Sequence, residues 1–273
     1  MGRGQVFLST SGATISYKTV GYGPPIIVIP GALSVAADFD ALANALAEAF
    51  TVYTIERRGR GQSSPQDAGY SIAVDCEDAL ALQKRTQARC LFGHSYGGLI
   101  ALETARSNVF VKKVAVYEPG VSVNGSIPTT WFSEYKHLLA QDKRLDAFVE
   151  FAAATGPIRA KSAPRWLLRL LMPMVLKRRG LQQKLDLLES NLREHREIAR
   201  LNNTYENYRE VTADVLLLVG GKSDSDWVAA TVEKLSDVLP VVRIDEFPKL
   251  NHFGPNQTGP REVAQAVKAH FAS

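Results

Sequence analysis

The segment Gly93-His94-Ser95-Tyr96-Gly97 sets a serine between two glycines. A serine hydroxyl is a weak nucleophile and attacks a carbonyl only when a base is held within its reach. A tight strand-to-helix turn meets that need by lifting the side chain clear of a sheet. It demands small residues on both sides, because the two backbones crowd together there. The apolar run 90–92 precedes the motif and the Ala/Leu-rich stretch 99–107 follows it. A bare G-x-S-x-G also arises by chance in glycine-rich turns, and it is the strand before and helix after that select the chemical reading. Ser95 is therefore the candidate nucleophile. A tetrahedral intermediate needs two backbone donors for its charge. One is the N–H of Tyr96, at the free N-terminus of the helix. The other is sought in Pro30-Gly31-Ala32-Leu33 after the apolar run 26–29, where Gly31 allows an unusual turn. Ala32 is the preferred donor and Leu33 the alternative, although a plain strand-end turn would use the same glycine.

A general base must follow. Of the five histidines, His252 in Asn251-His252-Phe253-Gly254 lies on a loop after the last strand-like run and before the last helical one, so it can swing over the serine. His94 adjoins the nucleophile and is expected to point away from it. His137 and His195 fall in a helical insertion, and His270 in the final helix. The acid that orients the imidazole is ambiguous. Glu118 ends the run Val114-Ala115-Val116-Tyr117, and Asp224 follows Gly220-Gly221-Lys222-Ser223 with Asp226 close behind. Both satisfy the order serine, acid, histidine. A carboxylate held directly at a strand end is better positioned than one on a longer loop, which favours Glu118. Asp224 and Asp226 would equally serve as helix N-caps.

The elements that must carry these groups alternate. Runs at 6–10 and 13–20 read as a hairpin around Ser11-Gly12. The continuous apolar run 26–29 suits a strand buried on both faces, and further strand-like runs follow at 52–55, 90–92, 111–117, 215–219 and 241–244. Helical periods occupy 36–50, 72–86 with Ser71 as a possible cap, 99–107, 229–239 and 260–271. This order predicts an α/β fold with a mostly parallel central sheet flanked by helices. Residues 1–120 and 214–273 would form the core. Residues 121–213, which lack a convincing buried strand, would form a helical cap inserted before the penultimate strand. Ligands of open α/β sheets bind at the carboxyl edge that such a cap covers.

The 273 residues suffice for one large core. A net charge of +4 with no recognition motif argues against nucleic acid as a partner and leaves a small-molecule substrate. Cys76 and Cys90 fit neither a disulfide framework nor a metal spacing, and read as reduced thiols. No metal or organic cofactor is expected. No run approaches the roughly 20 apolar residues of a membrane span, so stable membrane insertion is not expected and a cytoplasmic location is. Within the insertion, Trp131, Phe132, Trp166 and Leu170 could line an apolar acyl pocket or simply pack the cap. The stretch 159–200 interleaves Arg and Lys with Leu and Met. A solvated basic helix face is the simpler reading, and attraction to an anionic substrate or membrane surface the sharper one.

These segments resemble the α/β-hydrolase superfamily over nearly the whole chain outside the insertion. Besides the serine turn, Glu56-Arg57-Arg58-Gly59-Arg60-Gly61-Gln62-Ser63 is similar to the superfamily's D-x-R-G-x-G-x-S turn, which the resemblance makes structural. Gly31-Ala32-Leu33-Ser34, Tyr117-Glu118-Pro119 and Gly220-Gly221 are similar to a large group of bacterial α/β-fold hydrolases. Two departures stand out. Pro30 occupies the place where the superfamily usually has histidine. The usual acid position falls on Ser223 if Gly220 is the strand-end glycine, and on Asp224 only if the loop is one residue longer. Some members carry the acid after the preceding strand, which matches Glu118. Ser95 argues against the dehalogenases and epoxide hydrolases of this fold, which use an aspartate. The resemblance implies a serine hydrolase acting on an ester-type bond as a carboxylesterase, lactonase or thioesterase. A carbon–carbon bond hydrolase or lyase with the same triad, or a ligand-binding receptor without turnover, remain the alternatives.

Overall fold

Ile26, Ile27, Val28 and Ile29 are all buried, so the strand they form has no solvent face and must be central. In the computed structural model, which describes residues 3–8, 12–156, 158–223 and 226–273, the strands are β1 (Arg3–Leu8), β2 (Thr14–Val20), β3 (Pro25–Ile29), β4 (Thr51–Glu56), β5 (Cys90–His94), β6 (Lys113–Tyr117), β7 (Asp214–Gly220) and β8 (Val242–Phe247). They form one eight-stranded sheet in the order β1-β2-β4-β3-β5-β6-β7-β8. Only the β1–β2 and β2–β4 pairings are antiparallel. The others are parallel. The two-residue strand period sorts the core into two layers. Ile27, Ile29, Leu91, Val114, Val116, Val215 and Leu217 face one side. Ile26, Val28, Phe92, Ala115, Tyr117, Leu216 and Leu218 face the other.

Helices cover both layers. The chain order is α1 (Asp40–Leu46), α2 (Ile72–Thr86), α3 (Tyr96–Arg106), α4 (Phe132–Ala140), α5 (Arg144–Thr155), α6 (Ile158–Ser162), α7 (Arg165–Val175), α8 (Lys177–Asp186), α9 (Leu188–Arg200), α10 (Asp226–Val238) and α11 (Pro260–Ala272). Helices α2, α3 and α10 supply Leu82, Ile100 and Leu235 to the first layer. Helices α1 and α11 supply Leu42, Leu46, Val263 and Val267 to the second. Between β6 and β7 the described chain is helical, α4 to α9 with one 3₁₀ turn after them. Its own cluster of Trp131, Tyr135, Phe148, Leu188 and Leu192 takes in Leu33 from the loop after β3.

Two expectations are corrected. The helix expected over 36–50 is a 3₁₀ turn (Ala36–Phe39) followed by α1, which stops at Leu46. Residues beyond it must turn into β4 under the loop 21–23, where Gly21 and Gly23 lie against the carbonyls of Phe50 and Ala49. Ser71 has the extended backbone of an N-cap but makes no capping hydrogen bond. The Ile72 N–H instead donates to Glu197 of α9 at 3.0 Å. The hairpin residues Thr10 and Ser11 lie outside the described residues.

The turn after β4 fastens the helical segment to the core. Glu194 of α9 is fully buried. It accepts from Arg57 Nη1 at 3.0 Å and Nη2 at 3.1 Å. It also accepts from Arg60 at 2.7 Å and Gln66 at 3.1 Å. Burial alone would raise the pKa of this carboxyl, but Arg57 and Arg60 outweigh it and hold it below the ordinary value. Because the folded value is lowered, the contribution to stability is present above the unfolded value of 4.5 and is lost as pH falls through the folded one. Glu194→Ala leaves two guanidinium groups buried against it and is expected to cost about 3–5 kcal/mol near neutral pH. Urea denaturation at a series of pH values should show the gap to the parent protein narrowing below pH 4.5. A gap that does not change with pH would contradict this assignment.

Candidate active site

The parallel register brings the chemistry-bearing residues to one edge. Ile29 pairs with Gly93, Gly93 with Val116, and Tyr117 with both His94 and Leu218. The residues that follow each strand, Gly31, Ser95, Glu118 and Gly221, therefore leave the sheet side by side. Ser95 is the pivot between β5 and α3, with φ 54° and ψ −121°. A side chain in that region is strained and persists only where its surroundings hold it. Here its N–H donates to Tyr117 O at 3.0 Å, and its carbonyl accepts from Gly98, Leu99 and Gly120. The flanking glycines are required by space. A Cβ on Gly97 would collide with the carbonyls of Ile29 and Pro30, and one on Gly93 with the carbonyl of Gly97.

Glu118, at φ 42°, follows β6 and is completely buried. Its Oε2 accepts from His252 Nδ1 at 2.6 Å. Its Oε1 accepts from the Gly220 N–H at 2.8 Å and from Ser223 Oγ at 2.5 Å. With the proton on Nδ1, His252 is left with its lone pair on Nε2. The sequence did not single out Ser223 as a donor. It lies just beyond β7 and supplies a hydroxyl to the buried carboxylate at the end of β6. Asp224 lies outside the described residues. Asp226 is the first residue of α10.

His94 has a larger part than expected. Its Nε2–H donates to the His252 carbonyl at 2.7 Å, and the two rings lie 4.8 Å apart. Burial pushes its pKa well below the usual histidine value, and the neighbouring His252 pushes the same way. His94 therefore stays neutral beside the other imidazole. Tyr117 completes the seat, its hydroxyl donating to Asn251 O at 2.8 Å and filling the space a Cβ on Gly254 would take. Trp227 closes the outer side of His252, ring to ring at 5.7 Å. No hydrogen bond between Ser95 Oγ and His252 Nε2 is present among the described residues. Such contacts are often long in free enzymes and tighten only with substrate bound.

The loop after β3 passes against the serine. A Cβ on Gly31 would lie 3.1 Å from Ser95 Cβ. Arg57 holds this loop from below, Nε donating to Pro30 O at 2.9 Å and Nη2 to Gly31 O at 2.8 Å. Its burial opposes the charge, but Glu194 and Asp75 more than offset that and raise the pKa. Leu33 takes a left-handed φ of 54°, and its carbonyl accepts from Lys184 of α8 at 2.6 Å. The N–H groups of Ala32 and Tyr96 donate to no backbone carbonyl among the described residues. A Cβ on Gly120 would lie 3.5 Å from the Tyr96 nitrogen, an ordinary contact, so Gly120 runs alongside that amide.

The four aromatic and aliphatic candidates divide. Trp131 is buried in the helical cluster with Phe132 packed edge-on at 4.6 Å. Trp166 and Leu170 do not join it; they are 68% and 61% exposed on α7. Cys76 and Cys90 are free thiols, and burial pushes both pKa values up, Cys90 to about 11. Among the described residues, no group of three or more His, Cys, Asp or Glu side chains is placed to hold a metal ion. A cleft of about 370 Å³ opens between residues 59–61 and α8, lined by Val35, Arg60, Gln183 and Leu187 among others, and it does not include Ser95 or His252.

Comparison with known proteins gives the family and the fold. A family model described as alpha/beta hydrolase family matches residues 26–266. A 2-(acetamidomethylene)succinate hydrolase from Mesorhizobium japonicum is 27% identical over 265 residues, covering 93% of this chain and 90% of that protein. Among solved structures, an alpha/beta hydrolase from Sphaerobacter thermophilus superposes with a TM-score of 0.81 at 26% identity, over 98% of this chain and 100% of the other. An esterase from Exiguobacterium antarcticum gives a TM-score of 0.71 at 19% identity, over 99% and 100%, a likeness of fold.

The elbow itself can be tested by stability. Gly97→Ala pushes a methyl group into two backbone carbonyls that cannot rotate away. A loss of about 1–3 kcal/mol in denaturant unfolding is expected; a neutral result would mean that strand and helix are not so closely packed there.

Proposed function

The chain belongs to the alpha/beta hydrolase family, and we propose that within it the protein cleaves ester-type bonds through an acyl-enzyme on Ser95. The observation that carries this reading is the Glu118–His252 contact of 2.6 Å at the edge where Ser95 stands on its strained turn. In this reading His252 Nε2 takes the Ser95 proton as Oγ attacks the substrate carbonyl. Glu118, held by Gly220 and Ser223, keeps the imidazole in the right tautomer and stabilises its positive form. The developing oxyanion rests on the Tyr96 and Ala32 amides, with Leu33 as the alternative donor to Ala32. His252 then gives its proton to the leaving alkoxide and later activates the water that releases the acid. The helical segment 121–213 acts as a cap over this edge, and Leu33 and Gly120 are where it meets the site: Ile198 of α9 would touch a Cβ on Gly120 at 3.4 Å. The substrate is a small molecule.

A second reading has a specific observation behind it. The Mesorhizobium relative is named for a substrate that is a succinate derivative and not a simple ester. A carboxylate-bearing substrate handled by the same serine, histidine and glutamate is therefore the competing assignment. Steady-state assays with p-nitrophenyl esters of increasing chain length, set beside esters of succinic acid, separate the two.

The triad has its own test. Ser95→Ala should abolish labelling by a fluorophosphonate probe. Glu118→Gln should lower kcat by about 10³–10⁴-fold while the fold is retained. Asp224→Asn should leave kcat within a factor of a few. Comparable losses from the two acid variants would remove Glu118 from its assigned role.

A further inference from the structure

Helix α7 turns its apolar side chains outward. Trp166, Leu170, Leu171, Met174 and Val175 are 68%, 61%, 40%, 74% and 73% exposed. Among the described residues, these are five of the eleven exposed large apolar side chains, all on one eleven-residue helix. At 3.6 residues per turn, Trp166, Leu170 and Met174 form one stripe, with Leu171 and Val175 beside it. The opposite side, Leu168 and Met172, packs on Val149 and Ala153 of α5 and holds the helix in place. Isolated exposed apolar residues need no explanation, but a contiguous patch on a well-packed helix marks a contact surface.

Charge identifies what that surface fits. Residues 158–185 carry eight of the chain's 32 Lys and Arg residues and none of its 28 Asp and Glu residues, so the remainder of the chain is net acidic. Arg165 and Arg169 border the stripe. They reach back to Glu150 and Asp146, yet half or more of each side chain stays in solvent. Lys177, Arg178 and Arg179 follow directly in the sequence. An isologous contact with a second copy would bring these like charges together. A ridge of Trp, Leu and Met edged by Arg165 and Arg169, in a segment of basic sequence, suits the boundary of a bilayer, with the indole and aliphatic groups among the acyl chains and the cations at lipid phosphates. At about 16 Å the helix is too short to span one, and no described helix is long and apolar enough to do so.

We propose that α7 is an interfacial helix that seats the protein on anionic phospholipid surfaces. The proposal does not depend on which bond Ser95 cleaves. It is tested with the full chain by co-sedimentation with vesicles of phosphatidylcholine alone or with 30% phosphatidylglycerol, roughly the anionic load that a polybasic surface reads. Binding to the anionic vesicles should be at least about tenfold stronger, should weaken with salt, and should shift Trp166 emission to the blue. Met174→Glu with Val175→Glu should lower partitioning by about tenfold or more without changing turnover of a soluble ester or the unfolding midpoint. Replacing Lys177, Arg178 and Arg179 by Gln should remove the preference for anionic lipid. Failure to bind, equal binding to both vesicle types, or undiminished binding by the Met174/Val175 variant would overturn the proposal. So would a concentration-dependent dimer, abolished by that variant, in a protein that ignores vesicles.

Discussion

A carboxylate withdrawn completely from water must be satisfied by protein donors, or the cost of burying its charge destabilises the fold. Glu118 meets that demand with three donors from three places: the Gly220 N–H at the end of β7, the Ser223 hydroxyl just beyond, and the His252 imidazole. Each hydrogen bond constrains the element that supplies it. The end of β7 cannot drift from the end of β6, and the loop 251–254 is drawn down over the edge where Ser95 emerges. The site is therefore assembled by the same interactions that satisfy the buried charge.

Around this centre the supports are layered. Tyr117 and His94 come from adjacent strands and hold the backbone of Asn251 and His252, so that loop is fixed by its main chain as well as by its imidazole. On the other flank Arg57 donates to two carbonyls of the loop after β3, while its remaining donors meet Glu194 and Asp75. Glu194 belongs to α9, so one buried guanidinium connects the helical segment to the loop that passes the serine. Such a cluster is worth little against a well-packed apolar replacement, but losing a single member leaves unpaired charge. Its contribution is geometric: it leaves the turn after β4, the loop after β3 and α9 only one mutual arrangement.

The turn 57–61 reads from sequence as a structural motif. The structure supplies its purpose: Arg57 and Arg60 bind a carboxylate 134 or more residues away. No local pattern marks Glu194, which sits in a charged amphipathic helix and would pass for a solvated residue. The same is true of Glu197, whose carboxylate caps α2 in place of Ser71. Sequence separation conceals these contacts because propensity and period describe neighbours along the chain, and these partners meet only after the sheet has closed.

Much was nevertheless written in local order. The unbroken apolar run 26–29 marked a central strand, although the run 241–244 falls on the exposed edge strand β8, and the alternation of runs and helical periods pointed to a mostly parallel sheet in the alpha/beta hydrolase manner. Glycine on either side of Ser95 marked a turn where only glycine fits, since backbone crowding is a local property. The reading of 36–50 as one helix failed because the loop packed over residues 47–50 lies elsewhere in the chain. Which carboxylate faces His252 was open in the sequence, because both candidates followed strand ends in the correct order. In the structure Glu118, buried at the end of β6, is the carboxylate that accepts from His252, while Asp224 lies outside the described residues. Likewise the composition of α7 told that it was amphipathic, but only packing against α5 determined which of its faces turned to solvent.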